Sequence, residues 1–383
     1  MKEQEAKRLP RVAIFGTSAT VKCLVPNLKN SGFKVVAIWN NSSENLEAVA
    51  RELNVPNWSV EEGAIVKQKD LYDIIFISTC PTSQTEIAYN SLTVGKHVIC
   101  NFPVGPTQEH LLKLVKAHSE KLMAIVCNGL KYLQCFVQMK KHIDEGYVGD
   151  IRTVEARVHC KSILKERYDW TCDERMGGGI LNIYGSPVID LIRYLTNLKA
   201  SKVHTVLKTY TTQTKTICSI RQVTSDDYCS AVLQLENGAM FSLNLNSHFR
   251  KDYDLEVSVC GSHGRLSVKG KDLVGVKNCE REEHLYDDRL TLRESSNSQS
   301  EISGYHLSGI TRQLNSIKDS FQNKEGDDLY DRKVEKQATT LAQAQYIQGV
   351  IDAMVKSNER RSWVRVSELN ASDVDDESIL SLN

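Results

Sequence analysis

Neither sign of charge is in excess in this chain: 48 lysines and arginines balance 48 aspartates and glutamates. Without a net field, long-range attraction to nucleic acid or to an anionic membrane is excluded, and neither is an expected partner. No apolar run approaches the roughly 18 residues of a membrane span, and the opening Met-Lys-Glu-Gln-Glu-Ala-Lys-Arg is charged. A cytoplasmic protein is expected. The 11 cysteines include neither a Cys-x-x-Cys pair nor a Cys/His cluster at zinc spacing, which fits free thiols in a reducing compartment and speaks against a metal site. An internal repeat is lacking too. What is present is ordinary globular material, 41% hydrophobic and 25% charged, with enough apolar residues for a sizeable core. At 383 residues the chain is too long for one ordinary domain and suits two.

The first part of the chain alternates short apolar runs with helical patterns. Arg11 to Phe15, Val35 to Trp39, Asp73 to Ser78, His97 to Cys100 and Met123 to Cys127 read as strands. Between them, Ala19 to Lys29, Glu44 to Leu53, Thr85 to Val94 and Thr107 to His118 read as helices. Apolar strands alternating with helices imply right-handed crossovers and a doubly wound parallel sheet, that is, an α/β Rossmann domain. After about residue 150 the period becomes two. Ile151 to His159, Val203 to Tyr210, Asp227 to Glu236, Ala239 to Asn246, Leu255 to Cys260 and Arg265 to Val268 read as strands of a large antiparallel sheet, interrupted by one helix at Ser186 to Leu195. Residues 280–303 read as an exposed, charged and serine-rich excursion. Helices return at Gly309 to Phe321 and Ala338 to Lys356. The expected division is a charged tail over 1–10, a Rossmann domain over 11–128, an α/β open-sheet domain over 129–366 and an acidic tail over 367–383.

The first strand ends on Gly16-Thr17-Ser18-Ala19-Thr20-Val21, where a dinucleotide fold shows Gly-x-Gly-x-x-Gly. Only the first glycine, the one that makes the tight turn, is kept; Ser18 is small enough for close approach, and its hydroxyl can bond a phosphate at the helix N-terminus. Gly16, Thr17, Ser18 and Ala19 are therefore the candidate pyrophosphate contacts. At the end of the second strand, Asn40, Asn41, Ser42 and Ser43 stand where an NAD-selective site places an acid against the ribose hydroxyl. Loss of the carboxylate removes repulsion of a 2′-phosphate and favours NADP(H) over NAD(H); the same residues also suit a helix cap. Ligands of open α/β sheets lie beyond the carboxyl ends of the strands, so Thr79, Cys80, Pro81, Gln84, Asn101 and Asn128 are further candidate contacts.

The chain resembles the glucose-fructose oxidoreductase, inositol dehydrogenase and MocA family, in particular its animal branch, the glucose-fructose oxidoreductase domain-containing proteins. The resemblance rests on Gly95-Lys96-His97-Val98-Ile99-Cys100, Asn101-Phe102-Pro103, Glu145-Gly146-Tyr147-Val148-Gly149-Asp150, Gly177-Gly178-Gly179-Ile180-Leu181, Ile189-Asp190-Leu191 and Glu236-Asn237-Gly238-Ala239, in that order. It implies a Rossmann domain, a C-terminal open-sheet domain and a homodimer joined through that sheet. It also implies that the family's catalytic lysine falls on Phe102, its aspartate on Ile183 and its histidine on Pro187. None of these side chains moves a proton, so the implied protein holds its dinucleotide as a structural or sensing ligand, with Phe102 beside the nicotinamide and Trp170 near the pocket. Pro187 also suits the first turn of a helix capped by Ser186. The alternatives left open are an active NADP-dependent oxidoreductase on a sugar or cyclitol, using Tyr184 or Lys131 as rescuing groups, and an interaction module without cofactor. Asp190 reads as structural within its helix and His159 as a sheet histidine.

Overall fold

The computed structural model describes residues 8–41, 46–61, 65, 68, 70–214, 222–250, 253–278, 280–287 and 304–369. Continuous apolar runs make all the parallel strands of the first sheet but Asn57–Ser59, as expected for strands covered on both faces. The parallel strands are β1 (Arg11–Phe15), β2 (Lys34–Trp39), β3 (Asn57–Ser59), β4 (Ile74–Ile77), β5 (His97–Asn101) and β6 (Ala124–Cys127). They pair in parallel in the order 6-5-4-1-2-3. The order reverses between β1 and β4, which opens a crevice at their carboxyl ends. Helices α1 (Ala19–Asn30) and α2 (Leu46–Glu52) cover one face, while α3 (Pro81–Thr93) and α4 (Gln108–Ala117) cover the other.

After α5 (Gln134–Asp144), which sequence periodicity did not single out, the second sheet begins with β7 (Ile151–His159). Helix α6 (Ser186–Thr196) follows, then β8 (Ala200–Lys208), β9 (Tyr228–Leu235), β10 (Met240–Asn246), β11 (Asp254–Gly261), β12 (Gly264–Lys269), β13 (Asp272–Lys277) and β14 (Glu283–Asp287). The sheet runs 14-13-12-11-7-10-9-8-16, where β16 is Val364–Arg365. The expected antiparallel sheet is present with one departure: β7 and β10 pair in parallel. The chain leaves β7 and travels through a long helical excursion before it returns, and such a crossover permits parallel re-entry. Within the expected excursion over 280–303, Glu283–Asp287 is an edge strand on β13, and residues 288–303 lie outside the described residues. Alternation places every second side chain of β9 and β11 in the core under α5, α6 and α8 (Leu341–Arg360), while the opposite face stays polar.

Beyond residue 128 the chain returns to pack on the first sheet. Helix α7 (Gly304–Gln322) returns to the first domain and buries Leu314, Ile317 and Phe321 with Val12 and Ile14 of β1. The two-residue strand β15 (Thr339–Thr340) then closes the free edge of that sheet against β6, antiparallel. Thr340 goes on to cap α8 by accepting from Gln343 N while the Gln343 side chain accepts from Thr340 N. The expected start of that helix at Ala338 is thus displaced by an edge strand. The acidic stretch 370–383 lies outside the described residues.

Candidate functional site

A cleft of about 790 Å³ opens where the two sheets' loops meet. Its first wall is the turn after β1. Gly16 holds φ at +117°, and a Cβ placed there would lie 2.2 Å from the carbonyl oxygen of Ser78, so no larger residue fits between β1 and β4. The Gly16 amide donates to Trp39 O at 2.7 Å, which ties the turn to the end of β2. Ser18 is the residue before α1; its hydroxyl makes no cap and lies 3.0 Å from the hydroxyl of Ser78. Cys80 stands in the same relation to α3. Neither helix carries an acid in its first turn. Two helix N-termini, free of acidic side chains and joined by small hydroxyl residues, suit the pyrophosphate of a dinucleotide.

Of the candidate contacts, Gly16, Thr17, Ser18, Asn40, Asn41, Thr79, Cys80, Asn101, Phe102, Asn128 and Trp170 line this cleft. Ser42 lies outside the described residues. Ala19 begins α1. Two other candidates lie behind the lining. Pro81 is buried against Gly177, whose own Cβ position falls 2.9 Å from the proline ring. Gln84 is 1% exposed: its amide donates to the carbonyls of Asn101 and Pro103 at 2.8 Å, and its oxygen accepts from Asn101 N. It braces the loop that carries Phe102 and has no free group to offer a ligand.

The far wall belongs to the second domain. Residues Leu181–Gly185 form a π turn that runs straight into α6. Ser186 is therefore helical and does not cap, which corrects the sequence reading, while Pro187 does sit in the first turn of α6. The turn is started instead by Asp226, whose carboxylate accepts from Leu181 N at 2.8 Å beneath Gly179, a glycine with φ +101°. Burial drives the Asp226 pKa up to about 7, with Asp227 and Glu174 adding repulsion against the pull of the Leu181 amide. The wider π turn brings Ile183, Tyr184 and Pro187 to the same cleft as Phe102.

Lys131 is elsewhere. It is 2% exposed and does not line the cleft; its ammonium lies 2.9 Å from Asp190 Oδ1 and donates to Thr339 Oγ1 at 2.9 Å. Burial lowers its pKa, with Asp190 opposing. Asn128 Nδ2 donates to Asp190 Oδ2 at 2.8 Å and to Pro187 O at 2.9 Å. Asp190 is thus structural as expected, and Lys131 joins it in a buried network rather than reaching a ligand. His159 stacks on Phe249 at 4.0 Å in the second sheet and stays out of the cleft.

Sequence reasoning missed Trp39, Ser78, Cys127 and Tyr253, which also line the cleft. Trp39 and Ser78 stand at the carboxyl ends of β2 and β4, the two strands that flank β1, a signal that could have found them. Tyr253, beside Tyr184 with ring centroids 4.9 Å apart, is brought in by tertiary packing alone. Burial pushes the Cys127 thiol up to about 12 and the Tyr253 phenol well above its ordinary range. Among the described residues no group of three or more His, Cys, Asp or Glu is placed to hold a metal.

A parallel sheet of the 3-2-1-4-5-6 order with a glycine turn at its switch point, sharing a cleft with a second open sheet, defines a two-domain dinucleotide-binding oxidoreductase scaffold. The chain belongs to the GFO/IDH/MocA oxidoreductase family: residues 10–128 match its NAD-binding Rossmann fold and residues 136–267 its C-terminal domain. It is 36% identical to glucose-fructose oxidoreductase domain-containing protein 1 of Xenopus tropicalis, covering 94% of this chain and 93% of the relative. It is 34% identical to the human glucose-fructose oxidoreductase domain-containing protein 2, covering 95% of each. Solved structures sharing the fold include levoglucosan dehydrogenase in complex with NADH and levoglucosan, with TM-score 0.76, 19% identity and coverage of 94% and 99%. Another is the super-repressor mutant of Gal80p from Saccharomyces cerevisiae, with TM-score 0.75, 18% identity and coverage of 93% and 97%.

Proposed function

We propose that this chain is an NADP(H)-binding, oxidoreductase-like protein without the usual proton-transfer groups, in which the dinucleotide serves as a structural or sensing ligand. The observation that carries the reading is the joint placement of Phe102, Ile183 and Pro187 on one cleft. Oxidising a carbinol requires a base for the hydroxyl proton, a contribution of about 10² to 10⁴-fold, and these three side chains have no proton to exchange. The neighbours do little to replace them. Cys127 and Tyr253 are held protonated by burial, and Lys165 is paired with Asp169 at 2.7 Å. A bound nicotinamide would supply hydride chemistry; the chain's own residues would grip and orient it through Gly16, Ser18 and the N-termini of α1 and α3. Asn40 and Asn41, with no carboxylate between them, support NADP(H) over NAD(H).

A second reading is an active oxidoreductase on a sugar or cyclitol that uses Tyr184, which does line the cleft. Lys131 gives it no support, because that lysine is spent on Asp190. A third, an interaction module, draws support only from the sharing of this fold with the Gal80p super-repressor mutant. The test is to purify the wild-type chain without added cofactor, record native mass and near-ultraviolet absorbance, titrate NADPH, and assay turnover on a polyol panel. Stoichiometric NADPH with no turnover is the expected result. Steady conversion of a polyol overturns the reading, as does failure to take NADPH at millimolar concentration.

The family resemblance also leads us to propose a homodimer through the polar outer face of the second sheet, to be read by sedimentation. None of the nine cysteines among the described residues is in a disulfide, which supports a reducing, cytoplasmic location, and among the described residues no helix is long and apolar enough to cross a membrane.

A further inference from the structure

We infer that the part of the cleft facing the second domain receives a flat aromatic ring rather than a polyhydroxylated sugar. The inference deepens the proposal above and rests on its view that the first-domain side holds the dinucleotide. Five of the side chains that line this end come from four segments: Phe102, Trp170, Ile183 with Tyr184, and Tyr253. Four of them are aromatic. Phe102, Tyr184 and Tyr253 pack against the adjoining core, so their rings are fixed from behind. Tyr184 and Tyr253 meet with centroids 4.9 Å apart and planes inclined by 45°, and both line the cleft.

A polyol entering such a space gives up water at every hydroxyl. Each hydroxyl left unmatched costs about 1–3 kcal/mol, and an apolar wall matches few. The charged pair available, Lys165 with Asp169, stands at the exposed rim and its partners already satisfy each other at 2.7 Å. An aromatic ring has no such debt of unmatched hydroxyls. It gains offset or edge contacts at about 4.5–7 Å between centroids, the spacing that Tyr184 and Tyr253 already show with one another. Ile183 decides the matter, because an acid there would put a polar anchor on the wall and an isoleucine does not.

The test is calorimetric titration of the full-length chain with naphthol, myo-inositol and glucose, each with and without saturating NADPH. Naphthol is expected to bind and the two polyols to give no heat at millimolar concentration. Ile183→Asp should weaken naphthol by about tenfold or more, because a carboxylate would face the ring. Tyr184→Ala should weaken it by a similar factor, which keeps the test valid if the first variant folds poorly. Inositol or glucose binding as tightly as naphthol overturns the inference, as does naphthol affinity that neither substitution moves. A wild-type chain that takes naphthol in an Ile183-dependent way but takes no dinucleotide keeps this inference and sinks the cofactor proposal; NADPH binding without naphthol binding does the reverse.

Discussion

Replacing Lys131 by alanine should unfold the junction between the two domains rather than disable a reaction. The side chains of Lys131 and Asp190 are 3% and 0% exposed, and the ion pair is 2.9 Å long. Asp190 Oδ2 also accepts from Thr339 Oγ1 at 2.5 Å and from Asn128 Nδ2 at 2.8 Å. One carboxylate thereby joins α6 of the second domain to the end of β6 and to β15 of the first sheet. Taking away the ammonium leaves that carboxylate buried beside two neutral donors. Breaking a buried pair from one side is worth about 3–5 kcal/mol, against total stabilities of about 5–15 kcal/mol. Urea denaturation followed by tryptophan fluorescence should show Lys131→Ala less stable by that amount. Lys131→Met combined with Asp190→Asn should lose less than the sum of the two single changes, because the second removes the charge that the first strands. If Lys131→Ala unfolds within about 1 kcal/mol of the wild type, the network is not what holds the domains together, and a chemical role for this lysine returns.

Gly16→Ala places a methyl 2.2 Å from Ser78 O at φ +117°; strain of about 1–3 kcal/mol and at least a tenfold loss of NADPH affinity should follow, both readable by thermal shift with and without NADPH. Asn40→Asp puts a carboxylate where a 2′-phosphate would lie, so the ratio of NADPH to NADH affinity should fall by about tenfold or more in paired titrations. His97 is buried, accepts from Met123 N at 2.9 Å through Nδ1 and has its pKa lowered to about 4 by burial. Its neutral form is the folded form, so stability is full above pH about 6.5 and is lost as pH falls toward 4, by up to about 3 kcal/mol; His97→Gln, which keeps an acceptor, should flatten that loss in urea series. Asp226 has the opposite sign: its pKa is raised to about 7, so stability falls as pH rises from about 4 to 7, and Asp226→Asn should gain about 1–3 kcal/mol at pH 8 while keeping an acceptor for Leu181 N.

The first domain was legible because five of its six parallel strands are short apolar runs closed by a polar or glycine residue, and only a sheet covered on both faces buries such runs; β3, Asn57-Trp58-Ser59, lacks that pattern and was not read. The cleft was legible wherever a candidate stands at a strand end: Gly16, Asn40, Thr79, Asn101 and Asn128 all face it. Misreadings came where the side chain's partner is distant in sequence. Gln84 was read as a ligand contact because it lies in the right loop, but its hydrogen bonds go to residues 101 and 103. Ser186 looked like a cap because Ser-Pro often starts a helix; Asp226, 40 positions along the chain from Ser186, holds the start of the preceding π turn instead. Lys131 titrates, so it was weighed as a catalyst, and nothing local to it reveals that Asp190 and Thr339 enclose it. The β7–β10 pairing was hidden for the same reason, since period-two alternation fixes which face is buried but not the direction of the neighbour.

The return of 304–340 to the first sheet has a consequence for biosynthesis and for dissecting the chain. A fragment ended at Asn128 would leave β6 as a bare edge and expose the apolar stripe that Leu314, Ile317 and Phe321 cover. Such a piece invites strand addition by other copies. On the ribosome residues 11–128 emerge well before the segment that completes their sheet, so the nascent nucleotide-binding half must wait, partly unclothed, until residue 340 has been made.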